Sequence, residues 1–444
     1  MMDSLSTTFR RRIFLPALFG VRRLPVHAAI AAIAAEDRRT RNEIEARQFE
    51  RLHRIVAIAY EKTAVYRGLY ETHGVRPDRL RSLEDLPSFP MVDRPTLQRH
   101  TLHDRITRGG DVAARRLTTG TTGQPLEIVL NRGAYAAQLG ARLRHYQDLG
   151  IRMGDREGRF WGRPGRGWKA SMREVILGRH TVTLGGRNEE ELLKEARDLV
   201  KYSPRYFYGY ASMLIRAAQV WEEYDLPRLP LAAIVSTAET LHEFQRHRVE
   251  ETFQCPVVVE YGCSEMDIVA FGCVAGALHV VTHNVLVESC VSESGVQELL
   301  LTDLHNEIMP LIRYRIGDGG TICWDRCACG RTTPQIQGLS GRTNAQFVIL
   351  PGARRMHCIV FTHLLDALVE EGIPILQSRV VQDDLLSFTV HLEIRGPIDE
   401  IALGRRIGDD IRSRVHDQAS TRLVVGPIPV EERAKFTDFV ALRP

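Results

Sequence analysis

Leu117-Thr118-Thr119-Gly120-Thr121-Thr122-Gly123-Gln124-Pro125 sets four threonines and two glycines side by side between Thr118 and Gly123. Glycine reaches backbone conformations and approach distances that a Cβ forbids, so N–H groups and hydroxyls of such a loop can converge on an anion. Pro125 stops the loop, and Leu126-Glu127-Ile128-Val129-Leu130 reads as a strand. The Gly-x4-Gly-Lys-Ser/Thr phosphate loop is absent and no helical pattern follows directly. The plainer reading is a Thr/Gly-rich β-turn.

The surrounding chain is that of an ordinary globular protein. Its 444 residues allow two or three domains, with a hydrophobic fraction of 44% and a charged fraction of 26%. A net charge of +4 does not point to a nucleic-acid partner. No apolar run reaches membrane-spanning length. Arg10-Arg11-Arg12 followed by Ile13–Val21 resembles the start of a signal peptide, but Arg22-Arg23 follow at once without a clear small-x-small cleavage site. A docked or peripheral segment and a cytoplasmic location are expected. Eight cysteines in a chain of this length do not make a disulfide scaffold; their clustering points to metal or catalysis.

Helical spacing runs from about Ala28 to Tyr66, and helices are expected at Ala134–Leu149 and Glu189–Tyr202. Phe160–Trp168 reads as a loop and Tyr206–Tyr210 as a short aromatic strand. Strands and helices alternate to about Asp303, the pattern of an α/β domain with a largely parallel sheet. A boundary is expected at Leu339–Asn344. The expected organisation is therefore α/β: a large multi-sheet domain over 1–340 and a small mobile α+β domain over 341–444. The latter should hold strands near Phe347–Leu350, Ser378–Val381 and Leu386–Leu392, and helices near Val360–Glu370 and Glu400–His416.

Further stretches accompany the Thr/Gly loop. Tyr261-Gly262-Cys263-Ser264-Glu265 follows a run of strand formers. Pro310-Leu311-Ile312-Arg313-Tyr314-Arg315-Ile316-Gly317-Asp318 reads as an apolar strand ending in a Gly-Asp turn. Gly341-Arg342-Thr343-Asn344 and Ala434-Lys435-Phe436 come later. In this order, the set resembles the adenylate-forming enzymes, in particular the phenylacetate–CoA ligase-like branch, from about Tyr60 to Phe439.

That resemblance implies the following roles. Thr118, Thr119, Gly120, Thr121, Thr122 and Gly123 would hold ATP phosphates, although Gln124 stands where many relatives carry a basic residue. Glu265 would ligate Mg²⁺, a hard cation that bridges phosphates through few carboxylates; a helix-start cap is the plainer reading. Tyr261 and Gly262 would lie along the adenine, opposite Ala238 and Glu239. Asp318 would accept from both ribose hydroxyls, unless it is an ordinary turn residue. Arg342 would approach ribose and phosphate. Lys435 would reach the α-phosphate, although Arg433-Ala434 replaces the family's usual context and a lone lysine is commonly just solvated. Asn344 stands at the family's hinge.

Cys327-Ala328-Cys329 is a two-thiolate knuckle, and Cys273 with His279 could complete four ligands for a structural Zn²⁺. Cys323 and His283 are alternative ligands, and buried free cysteines beside a core histidine are the plainer reading. Cys263 is not read as a nucleophile.

The expected activity is ATP-dependent conversion of a carboxylic acid to an acyl-adenylate, followed by a thioester with CoA or a carrier protein. An aryl or related small acid is expected, with a homodimer as the assembly to test. The alternatives are an adenylating ligase that ends in an amide or an adenylylated product, and a non-catalytic zinc-bearing binding protein. Phe160–Trp168 and Tyr206–Tyr210 are expected to shape the acyl pocket, and Arg163, Arg166 and Lys169 could accept a further anionic group.

Overall fold

The computed structural model describes residues 5–107, 109–118, 125–161, 167–182, 189–292, 297–342, 347–428 and 439–442. The chain packs as two compact units. One holds Met1–Asp155 with Val258–Leu339, the other Arg156–Val257 with Ser340–Pro444. The chain thus passes between units at Asp155/Arg156, Val257/Val258 and Leu339/Ser340.

In the first unit, the helical spacing of 28–66 is divided among Val26–Glu36, Arg41–Lys62 and Ala64–Thr72. Threonines make the breaks. The Thr40 hydroxyl accepts from Glu43 N while the Glu43 carboxylate accepts from Thr40 N, a reciprocal cap that starts the second helix. Thr63 caps the third by accepting from Tyr66 N. The expected helix at 134–149 is Arg132–Asp148.

Strands Val257–Cys263, Asp267–Gly272 and Leu278–Val280 form an antiparallel meander, and Leu278–Val280 pairs antiparallel with Gln335–Arg342. Val285–Val291, Gln297–Asp303 and Tyr314–Cys323 are also antiparallel neighbours. This corrects the largely parallel reading. Among the described residues no helix separates these strands, and a parallel pair needs a crossover of a dozen or more residues. The core gathers Leu52, Ile55, Tyr66, Tyr70, Phe89, Leu126, Ile128, Tyr261, Leu299, Leu301 and Ile312.

Besides the short pair Val92–Asp93 with Tyr314–Arg315 in the first unit, parallel pairing is found in the second unit. Arg179–Val182, Glu157–Phe160, Tyr206–Tyr210 and Ala233–Thr237 pair in parallel. The helices Trp168–Leu177, Glu189–Tyr202 and Ala211–Glu223 lie between them in sequence. Trp168, read as loop, begins a helix. Ser420–Val425, Ser387–Ile394, Ile375–Asp384 and Phe439–Val440 form a separate sheet with helices Ile359–Glu370 and Glu400–Arg414. Phe361, Leu364, Leu368, Val390 and Ile407 make its core. All elements expected beyond Leu339 are present. The architecture is α/β with a small sheet module of its own near the C-terminus.

Tyr66 tests how tightly the first unit is closed. Its ring is buried, and its hydroxyl accepts the backbone N–H of Ile312 at 2.8 Å. A Tyr66→Phe variant strands that N–H. Urea unfolding should show a loss of about 1–3 kcal/mol with an unchanged slope. An unchanged midpoint would mean that Ile312 finds another acceptor.

Candidate functional site

The Thr/Gly loop is carried by a hairpin. Val112–Leu117 and Glu127–Asn131 pair antiparallel, with Leu117 opposite Glu127. Thr118 then clamps the loop's two ends. Its N–H donates to Leu126 O at 3.0 Å, and its buried hydroxyl accepts from Leu126 N at 2.9 Å. Thr119, Gly120, Thr121, Thr122, Gly123 and Gln124 lie outside the described residues.

Beside this hairpin stands a second one. Strand Val257–Cys263 turns into Asp267–Gly272, with Cys263 paired to Asp267 and Glu265 at the tip. Arg116 of the first hairpin reaches Asp267 at 3.5 Å. Gly262 is required by this close pairing: a Cβ there would lie 2.1 Å from Asp267 O. No helix starts at Glu265, so the capping reading of that residue falls away. Instead, the buried carboxylate accepts from Tyr314 Oη at 3.0 Å and Arg94 Nη2 at 3.3 Å. Both donors meet Oε1. Burial and the neighbouring carboxylate raise the Tyr314 phenol, keeping it a donor.

Asp318 does not end a strand. Pro310–Ile312 belongs to no regular element, and the strand Tyr314–Cys323 runs on through Asp318. Gly317 takes φ 87°, and the pairing with Gln297–Asp303 shifts register across Glu298 and Leu300. Such an irregularity re-aims a side chain. Here the Asp318 carboxylate accepts from Tyr261 Oη at 2.8 Å. Burial, then Asp318, raises the Tyr261 phenol. The two motifs read separately in the sequence therefore meet twice, through Tyr261–Asp318 and Tyr314–Glu265.

The arginines around Tyr314 serve the scaffold. Arg313, at φ 48°, bonds both oxygens of Glu288 and the carbonyls of Pro87 and Phe89. Arg315 bonds Glu298. Cys263 is held protonated, chiefly by burial and then by Glu265, which agrees with its not being read as a nucleophile.

In the second unit, Ala238 follows the carboxyl end of strand Ala233–Thr237 at φ 69°. A non-glycine residue in that region is uncommon, and such strain gathers at functional sites. The Glu239 carboxylate accepts from Ser212 N at 2.9 Å, capping helix Ala211–Glu223. The Arg342 backbone closes strand Gln335–Arg342, and its side chain lies outside the described residues, as do Asn344 and Lys435.

Cys273, His279, Cys327 and Cys329 do come together. Their ligand atoms all lie within 4.8 Å of one another. Cys273 Sγ is 3.6 Å from Cys327 Sγ, and Cys329 Sγ is 3.3 Å from His279 Nε2. His279 Nδ1 faces Thr333 O at 3.2 Å, which points Nε2 at the thiols. Burial lowers the His279 pKa and favours the neutral, ligating imidazole. The alternatives Cys323 and His283 are outside this group; His283 Nδ1 meets Arg51 at 3.0 Å instead.

No protein-family model matches the chain. A phenylacetate–coenzyme A ligase of Thermus thermophilus is 29% identical over 331 residues, covering 70% of this chain and 72% of the relative. One from Escherichia coli is 22% identical over 403 residues, covering 85% of each. The chain is thus similar to phenylacetate–CoA ligases over about seven-tenths of its length. The fold agrees with that of 2-hydroxyisobutyryl-CoA ligase in the postadenylation state in complex with 2-HIB-AMP. That structure has a TM-score of 0.74 at 20% identity, covering 92% of this chain and 91% of the other.

Arg94 and Tyr314 are the residues that motif reading missed: Tyr314 stood inside a quoted motif without a role of its own, and Arg94 lay outside every quoted motif. Short strand Val92–Asp93 pairs in parallel with Tyr314–Arg315, which brings the two donors to one carboxylate.

Proposed function

We propose that this chain uses ATP to activate a small carboxylic acid and then passes the acyl group to a thiol of CoA or a carrier protein. The observation that carries the reading is the double meeting of motifs, Tyr261 with Asp318 and Tyr314 with Glu265, beside the hairpin of the Thr/Gly loop. A carboxylate is a poor acyl donor because oxide would have to leave. Attack of its oxygen on the α-phosphorus expels pyrophosphate and installs AMP as the leaving group. Thiol attack on the acyl carbon then releases AMP. Such catalysis is mainly positioning and electrostatics.

The roles follow from chemistry and place. Thr118–Gly123 cradles the outer phosphates. Asp318, pre-oriented by Tyr261, accepts from the ribose hydroxyls. Glu265, held at Oε1, would take Mg²⁺, and the ion would neutralise phosphate charge. Ala238, Glu239, Tyr261 and Gly262 flank the adenine. Arg342 and Lys435 complete the charge around the α-phosphate. The reading treats 341–444 as the small domain that turns about Asn344 between half-reactions.

An aryl acid is supported by side chains at the ends of parallel strands. Trp161 stacks on Tyr208 with ring centroids 5.7 Å apart and lies 4.3 Å from Tyr210. Arg159 covers Tyr208 at 4.8 Å and shares Glu157 with Arg179. A flat aromatic wall suits a planar acyl group. Arg163 and Arg166 lie outside the described residues, as does the side chain of Lys169.

The four-donor cluster suits zinc in a structural role. Zinc–sulfur bonds of about 2.3 Å in a tetrahedron place sulfurs roughly 3.8 Å apart, close to the 3.6 Å between Cys273 and Cys327. Four protein ligands leave no position for substrate.

Pyrophosphate exchange into ATP, run across a panel of aryl and hydroxy acids, tests the activity. Asp318→Ala should lose exchange by several orders of magnitude while remaining folded; near-normal exchange would refute the ribose role. Metal analysis of purified protein should find one zinc per chain, and freely titratable thiols without zinc would remove that site. In single-turnover assays, Lys435→Ala should impair adenylate formation far more than transfer from supplied acyl-adenylate. Asn344→Pro, which fixes φ at the pivot, should do the reverse. Equal losses in both halves would argue against domain alternation.

A further inference from the structure

The N-terminal segment is held by one face and exposes another. Helix Leu5–Phe9, a π-helical turn over Arg10–Phe14, and helix Leu15–Val21 run end to end. Buried Arg10 donates to Gly154 O at 3.1 Å and to the Thr7 hydroxyl. Arg11 donates to Met153 O at 3.1 Å and pairs with Asp155. Phe19 packs with Leu24, Val26 and Ala136. The segment is therefore part of the folded unit.

Its opposite side is apolar and exposed. Phe9, Ile13 and Val21 are 54%, 58% and 83% accessible, and Ala17 between them is exposed too. These positions are four apart. In a plain α-helix, residues four apart drift steadily around the axis. The π turn between Phe9 and Ile13 closes i→i+5 bonds and is wider than four residues, so its drift has the opposite sign. The irregular turn thus keeps the four side chains on one stripe.

Charge identifies what suits the stripe. From Ser4 to Ala35 the sequence holds five arginines and neither Asp nor Glu. Arg10 and Arg11 are spent on the dock, and Arg22 donates to Ala113 O and covers Tyr135. Arg12 and Arg23 are exposed beside the stripe, and among the described residues neither is in an ion pair. Apolar residues with an aromatic on one face, flanked by arginines, are the makeup of a helix that lies in a lipid interface. No single helix is long and apolar enough to cross a membrane. The next helix, Val26–Glu36, buries Val26, Ala29 and Ile33 in the fold, so it is not available to extend the segment into a span.

We infer that the face formed by Phe9, Ile13, Ala17 and Val21, with Arg12 and Arg23, docks the protein on an anionic phospholipid surface. The segment lies along the interface, apolar side chains toward the acyl chains and guanidiniums at the headgroups.

Co-sedimentation of the full chain with vesicles decides this. One set is phosphatidylcholine alone; the other is an equimolar mixture with phosphatidylglycerol. Binding should favour the mixed vesicles and weaken with added salt. Replacing both arginines, Arg12→Gln with Arg23→Gln, should weaken partitioning roughly 25-fold, about fivefold for each. Ile13→Asp with Val21→Asp should abolish it. These exposed positions lie outside the adenylation machinery, so unchanged thermal unfolding and pyrophosphate exchange show that the fold survives. Absence of binding to mixed vesicles overturns the inference, as does binding that both sets of substitutions leave intact. Gel filtration adds one further outcome. If the chain self-associates, loses that on Ile13→Asp, and ignores vesicles, the face is an interface between copies and the lipid reading is wrong.

Discussion

A carboxylate taken out of water must be given donors in exchange, and the first unit is arranged around that need at Glu265. Withdrawing it from solvent costs several kcal/mol unless it is matched. Its two donors come from distant parts of the chain. Arg94 follows the short strand Val92–Asp93, and Tyr314 begins the strand with which Val92–Asp93 pairs. Arg313 makes that pairing durable. Held at positive φ, it ties Glu288 to the carbonyls of Pro87 and Phe89. The position of one oxygen atom thus depends on a helix-start segment, a strand edge and a buried ion pair acting together.

The same logic explains Asp318. A regular antiparallel strand would alternate its side chains without regard to the neighbouring hairpin. The Gly317 turn of the backbone and the register shift opposite Glu298 and Leu300 bring Asp318 to Tyr261 instead. Each tyrosine is buried, remains protonated, and donates to a carboxylate. The orientation of both carboxylates is therefore set by the fold itself.

The cysteine–histidine cluster uses a backbone device of the same kind. The meander brings Cys273 and His279 together across a tight turn, with Cys273 N donating to Ala277 O. Cys327 and Cys329 arrive from the loop before Gln335–Arg342, the strand paired to His279. Thr333 O then fixes the imidazole. Four donor side chains from two stretches far apart in sequence thus meet beside one sheet edge.

Sequence alone determined the existence of most elements. Glu189–Tyr202, Tyr206–Tyr210 and the elements after Leu339 follow from local periodicity, because an amphipathic face is written in a dozen neighbouring residues. The cysteine quartet was legible because thiols are scarce and paired by spacing. Strand direction was not, since it depends on what connects the strands, and the missing crossover helices after Val257 were hidden in an apparent alternation. The helix cap suggested for Glu265 and the turn suggested for Asp318 were likewise local readings. Only tertiary structure decided that Glu265 sits at a hairpin tip, that a backbone shift turns Asp318 toward Tyr261, and that Arg94 and Tyr314 serve one carboxylate. Those facts are contacts between segments 49 to 171 residues apart. No periodicity within one segment encodes a partner that far away; burial and hydrogen-bond satisfaction across the whole core do.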